Sequence, residues 1–378
     1  MITHDSSATR NTESTSIPLI IGTTGHRDLS AEDLPRIREL IREVLRSLQQ
    51  KYPHTPLVIL SPLVEGADQL IAKVALEEGL QTRLAVVLPW SEEISKAQWP
   101  RGGDQADFEE LLNRADRIIN MPVHEDARNL RASETAEFYQ HQYSLVGKYI
   151  ARHSQLLIAI WDGDGQESSG TARVVNWQRD GAPAPFTAHL GELDVVEGAP
   201  ICHIKVRRGK RSEGTVPVIP TATWLYPELS SERSSQEEIH RTWSNIDRFN
   251  QDIRELQHTS RQMFVTSRSW VVSDEVTNRL PAGLRELLEF YAAADAVALS
   301  FQTRVKRLVR NLFVIGPLAL MCLEVYAHLW SQWPALAAYL LLLGLGYGMF
   351  LRARRADLQG RYLDVRALAE ALRVQFFW

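Results

Sequence analysis

Residues Ser16–Asp28 read SIPLIIGTTGHRD. Ile17 to Ile21 is a short apolar strand that runs straight into the turn Gly22-Thr23-Thr24-Gly25-His26-Arg27-Asp28. Beyond it, Ile37, Leu40, Ile41, Val44, Leu45 and Leu48 recur at helical spacing. Ser30, with Asp33 three residues on, resembles a capping box for that helix. A strand that passes through a glycine-rich turn into a helix is the opening unit of a parallel α/β sheet.

The unit recurs along the first half of the chain. Leu57 to Leu60 is a second strand, followed by Ser61-Pro62-Leu63-Val64-Glu65-Gly66-Ala67-Asp68 and a helix through Leu76. Leu84 to Leu88 is a third, ending in Pro89-Trp90, and Arg117 to Asn120 a short fourth. Ser133 to His153 reads as a long helix and Leu156 to Trp161 as a central strand, apolar throughout, that ends in Asp162-Gly163-Asp164-Gly165. Ser168-Ser169-Gly170-Thr171-Ala172 opens another helix, and Ile201 to Val206 is the last strand expected. The expected fold is α/β: a doubly wound, Rossmann-like parallel sheet over residues 17–225.

In such sheets ligands bind beyond the carboxyl ends of the strands. Glycine lets the backbone approach a phosphate, and helix N-termini offer unpaired N–H groups to an anion. Three such turns, at Gly22/Gly25, Gly66 and Gly170, follow strands of one domain. The candidate ligand-binding residues are therefore Gly22, Thr23, Thr24, Gly25, His26, Arg27, Glu65, Gly66, Ala67, Asp68, Pro89, Trp161, Asp162, Gly163, Ser169, Gly170, Thr171 and Ala172. Arg27 offers a fork of donors to a phosphate, against a surface ion pair with Asp28 or Glu32. Glu65 suits a ribose hydroxyl, and Asp68 suits capping its helix. Trp90 and Trp161 end strands, where stacking on a base and packing at the rim are both open. Glu134, Glu137 and His141 share a helical face, but no further ligands converge on them. No metal site, no Walker A lysine and no Ser–His–Asp set is expected.

The runs GTTGHRD, SPLVEGADQLIAKVALEEG and LLIAIWDGDGQESSGTARVV occur in this order and resemble the SLOG superfamily over about Pro18 to Val206. That group includes lonely-guy phosphoribohydrolases, the DNA-processing protein DprA, and ligand-binding domains of bacterial antiviral effectors and TRPM channels. The resemblance implies a Rossmann-like fold and a nucleotide-derived ligand, of ADP-ribose or cyclic nucleotide type, with no covalent cofactor. It also shows a departure. Lonely-guy enzymes look like G-G-x-G-T-x-x-E at the late turn, with the glutamate catalytic. Here Gly170-Thr171 is followed by Ala172, Arg173 and Val174. Valine can neither take nor give a proton, which favours binding over hydrolysis.

The chain has 378 residues, room for roughly two to three domains, and a formal charge of −4. The charge gives no electrostatic reason to expect nucleic acid, so none is expected as a partner. Cys202 and Cys322 lie far apart, which fits a reducing cytosol better than a disulfide framework. Residues 1–16 are Ser/Thr-rich with no apolar core segment and read as a disordered tail rather than a signal peptide.

The second half changes character. From Leu312 to Leu351 the chain is almost all apolar, broken by Glu324, His328 and the joint Trp330-Ser331-Gln332-Trp333. Trp333 to Leu351 carries no charge over ~19 positions, about 28 Å of helix against a ~30 Å hydrocarbon core. Glu324 inside the first run costs about 2.5–3.5 kcal/mol if it sits centrally, so an interfacial place, a partner helix and a pore lining are the alternatives open to it. Arg304, Lys306, Arg307 and Arg310 precede the hairpin and Arg352, Arg354 and Arg355 follow it. By the positive-inside rule both termini are cytosolic, in a multi-pass protein of the inner membrane. A buried hairpin in a soluble core is the competing reading. Residues 236–310 form a helical coupling region, in which Leu287, Tyr291, Ala294, Ala298 and Phe301 line either an internal packing seam or an oligomer seam. The hairpin takes residues 311–355 and an amphipathic cytosolic helix residues 356–378.

With the Ala294-Asp295 helix and the run Tyr362–Arg373, the hairpin resembles the SLATT modules, SLOG-associated two-helix membrane effectors proposed to form pores. Such modules continue past the point where this chain stops, so it reads as a truncated version. Together the resemblances imply a ligand-gated membrane effector of bacterial antiviral defence. A nucleotide second messenger from a signal-producing enzyme would bind the first domain, and homo-oligomers would permeabilise the bilayer. The alternatives are a membrane-anchored phosphoribohydrolase of lonely-guy type and an anchored ligand-binding scaffold without pore activity.

Overall fold

A computed structural model describes residues 15–98, 103–122, 136–163, 170–181, 198–207, 219–227, 232–329 and 333–378. The chain forms two compact units, Ile17–Asp247, and Arg248–Trp378 with the N-terminal Met1–Ser16.

The first unit is an α/β sheet. Its strands are β1 (Leu19–Gly25), β2 (Leu57–Ser61), β3 (Thr82–Leu88), β4 (Arg117–Asn120), β5 (Leu156–Trp161), β6 (Ile201–Lys205) and β7 (Thr221–Leu225). The spatial order is β4-β3-β2-β1-β5-β6-β7. All neighbours are parallel except β6 and β7, which are antiparallel. The helices are α1 (Leu34–Lys51), α2 (Ala67–Ala75), α3 (Glu92–Gln98), α4 (Gly103–Asn113), α5 (Ala136–His153) and α6 (Gly170–Asp180).

Alternation along each strand builds two cores. Leu156, Ile158 and Ile160 point into a cluster with the α1 stripe, α2 and Phe108 and Leu111 of α4. Leu157, Ala159 and Trp161 point to the other face, against Val146 and Ile150 of α5 and Ala172, Val174 and Val175 of α6. Helices therefore cover both faces, which is why β5 is buried along its whole length.

Three local expectations are corrected. β1 does not end at Ile21 but continues to Gly25, paired residue for residue with β5 from Ile21↔Leu156 to Gly25↔Ile160. Ser30 does not cap α1: the helix starts at Leu34, its N-cap is Asp33, and no side chain caps it. Pro35 lies in that first turn, where its missing N–H leaves one donor fewer to cap. The sheet does not end at β6. β7 is a mostly exposed edge strand, ATWL-like rather than a continuous apolar run, and so lacks the pattern of a central strand.

A long helix, α7 (Glu232–Thr259), begins in the first unit, where Trp243 meets Tyr52 edge-on at 5.8 Å. There Asp247 accepts from His54 N at 2.8 Å and from Thr55 Oγ1 at 2.9 Å.

The second unit is helical: the end of α7, then α8 (Arg261–Ser269), α9 (Asp274–Thr277), α10 (Ala282–Glu324), a π-helical segment (Val325–Leu329), α11 (Trp333–Arg355) and α12 (Leu358–Phe377). α10 is continuous from the soluble stretch into the apolar one. Its residues Tyr291–Ala298 and Phe301 are buried, and the helix contacts α8 and α12. The seam through Tyr291, Ala294, Ala298 and Phe301 is thus used within the chain, not left for an oligomer. Arg366 of α12 donates to the buried Asp295 at 2.9 Å, and Arg361 pairs with Asp252.

The C-terminal part of α10 and α11 are long and apolar enough to cross a membrane. Only 6% of each apolar window is buried. Phe313, Leu318, Leu320, Met321, Leu340, Leu341 and Phe350 lie exposed in this unit, which is the opposite of a buried core hairpin.

Candidate functional site at the switch of the sheet

From β1 the chain builds outward to β2, β3 and β4 on one side, and β5 and β6 lie on the other. The carboxyl ends of β1 and β5 are therefore the place where strand order reverses, the usual ligand crevice of an open α/β sheet. Hydrogen bonds tie the loops there together. His26 N donates to Ile160 O at 2.9 Å, Ala67 N to His26 O at 3.0 Å, and Thr171 Oγ1 to Gly25 O at 3.1 Å.

His26 is buried, and its Nε2 accepts from the main-chain N–H of Asp162 at 3.1 Å. The same nitrogen lies 3.1 Å from Asp162 Oδ1.

The glycines divide into two groups. A Cβ at Gly22 would stand 2.2 Å from Ser154 Oγ, and one at Gly25 would stand 2.4 Å from Ala67 Cβ and 2.5 Å from Ile160 O. Gly66, at φ +89°, would place a Cβ 2.3 Å from Arg27 O. These three let strand, helix and loop approach each other. Gly170 has nothing within 4 Å, and Gly163, at φ +84°, only His203 at 3.5 Å. Among the described atoms, Gly163 after β5 and Gly170 at the start of α6 are thus the uncrowded glycines.

Thr23 and Asp68 turn to each other. Thr23 Oγ1 donates to Asp68 Oδ1 at 2.8 Å and is 3.0 Å from Ser61 Oγ. Asp68 is 5% exposed, so burial pushes its carboxyl up to about 7, against the Thr23 bond and the Arg27 charge. It does not cap α2, whose N-cap is Gly66. Thr24 and Ala67 are buried, Glu65 is half-buried, and Pro89 is buried with its carbonyl accepting from Gln142 Nε2 at 2.7 Å. Trp90 is buried edge-on against Tyr139 and Tyr143, with centroids at 5.4 and 5.6 Å. Trp161 is buried beside His203. Neither indole is an open stacking platform. Ser169 and Glu134 lie outside the described residues, as does the side chain of Glu137, and no group of three metal-ligating residues occurs among the described ones.

The structure joins Arg27 and Gly170 to residues that strand-end reasoning missed. A cavity of about 210 Å³ lies between α5 and α6, lined by Arg27, Tyr139, Gln140, Tyr143, Ser144, Gly170, Arg173, Val174 and Trp177. The two helices come close because Gly147 of α5 faces α6: its Cβ would stand 2.7 Å from Val174 Cγ2 and 3.3 Å from Trp177. Among the described residues the lining carries two guanidiniums and no carboxylate. Arg173 Nε is buried with no hydrogen-bond partner. Next to it Lys148 is buried, its Nζ 5.1 Å from the centre of the Trp177 ring. Burial, and then the Arg173 charge, push the Lys148 ammonium down to about 8. Burial raises the Tyr143 phenol, an effect that the Arg27 charge opposes. Such a cleft suits an anion attached to a flat aromatic group. A helical reading could have found it, since Tyr139/Tyr143 and Arg173/Trp177 each sit one turn apart on one helix face. A wider depression of about 470 Å³ on α7, lined by Gln236, Glu237, His240, Arg241 and Ser244, draws on a single helix and gathers no comparable set.

No family model matches the chain, and no curated protein matches it. Among solved structures it is similar to DNA processing protein A from Helicobacter pylori, described for its single-stranded DNA binding mode. The likeness has a TM-score of 0.29 and 15% identity, over 45% of this chain and 64% of that one. The chain thus spans less than two thirds of that structure, and a likeness of this size carries no argument about ligand or activity. It does correct one expectation. With a single-stranded DNA-binding protein among the similar structures, nucleic acid is not excluded as a partner. The exclusion rested on net charge, an average over 378 residues that does not describe a local cationic cleft.

Proposed function

We propose that this chain is a membrane-anchored sensor: a phosphorylated nucleotide-type ligand binds at the switch of the sheet, and the apolar hairpin is the output. The reading takes the first unit as a Rossmann-like domain of SLOG type and the α10–α11 hairpin as a SLATT-type membrane effector. The observation that carries it is the cleft of Arg27, Arg173, Tyr143 and Trp177, with two guanidiniums and no carboxylate among its described lining residues, beside Gly170 at the start of α6. Val174, where a lonely-guy enzyme would have its glutamate, lines the same cleft and supports binding without hydrolysis. Ligand binding must favour the active assembly over the resting one, or it shifts nothing. A two-helix hairpin cannot enclose a pore, so permeabilisation requires several copies, with a role in defence against phage as the setting that the resemblance suggests.

The test is a thermal-shift titration of the full chain with AMP, ADP-ribose, NAD and adenosine. A ligand at 100 times its dissociation constant adds about 2.7 kcal/mol of stability. A phosphorylated compound should stabilise the chain, adenosine should do so far less, and Arg173→Gln should weaken the effect at least tenfold. If none of the nucleotides stabilises the protein, the sensor reading falls.

A further inference from the structure

We infer that the base of the hairpin is a basic collar that holds anionic lipid headgroups. The Cβ position of Gly346 in α11 lies 3.5 Å from Ile315 Cγ2 and 3.8 Å from Leu312 Cδ2 of α10, so these residues share one level of the hairpin. Helical rise fixes what lies beyond that level. Arg310, Arg307, Lys306 and Arg304 follow about 3 to 12 Å further along α10, and Arg352, Arg354 and Arg355 about 9 to 14 Å further along α11. The two basic runs, over 40 residues apart in sequence, are thus brought to one end of the apolar segment.

All seven cations are exposed, and none forms an ion pair among the described residues. The same unit treats its other arginines differently. Arg361 pairs with Asp252, Arg366 with Asp295 and Glu370, and Arg373 with Glu370. Carboxylates are therefore available in this unit, yet the collar's cations form no ion pair with them among the described residues; Asp252, paired with Arg361, feels the charge of Arg304 without bonding it. Between residues 304–310 and 352–355 and their immediate flanks the one acid is Asp357, at the start of α12. Clusters of four to eight Lys or Arg at the edge of a membrane segment attract anionic lipids, with a contribution that adds up roughly charge by charge. The apolar surface directly above the collar commits the occupant to a lipid rather than a free anion.

The inference rests on the membrane part of the function proposed above and not on the nucleotide. For the test, the full chain in neutral detergent is titrated separately with phosphatidylglycerol and phosphatidylcholine, and bound lipid is counted by native mass spectrometry. Phosphatidylglycerol should be held at least tenfold more tightly, with a preference that falls as salt rises. Glutamine at positions 304, 306, 307, 352, 354 and 355 should abolish the preference, while lysine at the five arginine positions of that set should keep it. Equal retention of the two lipids, or a preference unchanged in the glutamine variant, would overturn the collar while leaving insertion intact. Failure to hold either lipid would remove the membrane reading itself. Displacement of phosphatidylglycerol by excess inorganic phosphate, or by a single-stranded oligonucleotide of equal charge, would also overturn it, by showing a general anion surface.

Discussion

A methyl group at Gly25 would overlap both Ala67 Cβ and the carbonyl of Ile160. Overpacking of this kind costs about 1–3 kcal/mol, so Gly25→Ala should lower the midpoint of chemical unfolding of the full chain clearly. Gly66→Ala adds strain at φ +89° and should cost more. Gly170→Ala meets no described atom within 4 Å and should leave stability nearly unchanged. Asp68 links stability to pH with a definite sign. Its carboxyl is raised from 3.8 to about 7, so between those values the folded state binds more protons than the unfolded one. The contribution of this group is fully present below about pH 4, is lost as pH rises to about 7, and is flat above that. A shift of that size corresponds to something on the order of 4 kcal/mol. Asp68→Asn should flatten this part of the stability–pH curve; an unchanged slope would mean that another group sets it. Glycines, Thr23 and Asp68 were all visible in the sequence as strand-end residues. What one dimension could not show was that β1 runs on to Gly25, which turns Gly22, Thr23 and Gly25 toward neighbouring elements and leaves Gly170 as the open one.

Among the elements, α5 and α6 carry the cleft and α10 and α12 hold the second unit. Lys148 on α5, its Nζ over the Trp177 ring that lines the cleft, is lowered to about 8 by burial and by Arg173. An anion bound beside that ring favours the charged form. Nucleotide stabilisation should therefore be larger at pH 7 than at pH 9, and Lys148→Met should reduce the difference in thermal-shift titrations. Asp295, 6% exposed, depends on Arg366 for its hydrogen bond. Arg366→Ala should destabilise the full chain in detergent by about 2 kcal/mol, below the range for a fully buried pair because the guanidinium is partly solvated. The double variant with Asp295→Ala should recover part of that loss. The strongly patterned elements were legible in advance: the α1 stripe, the apolar run of β5 and the two apolar spans of the hairpin. β7 and the short helices α8 and α9 were not, because exposed edge strands and short helices carry little periodic signal. Arg27 and Gly170 of the cleft were named in advance; its other residues escaped notice because they come from two helices that tertiary packing brings together at Gly147.

At the scale of the whole molecule, the chain carries two helices long and apolar enough to cross a membrane, with almost none of their apolar windows buried. Glu324 pairs with His328 one turn on, at 3.3 Å, and both side chains are more than 70% exposed. Within hydrocarbon such a pair would require a polar surrounding that a single hairpin does not supply. This fits the proposed assembly of several copies and makes Glu324→Leu a test of output separate from ligand binding: nucleotide stabilisation should persist while permeabilisation changes. Replacing residues 311–355 by an unrelated two-helix anchor should likewise preserve binding and abolish output. The most direct measurement is dye release from liposomes that carry the full chain, with and without the nucleotide that stabilises it best. The account predicts release that depends on nucleotide, rises more steeply than linearly with protein density, and is lost in Arg173→Gln. Tight nucleotide binding with no release at any protein density would contradict it.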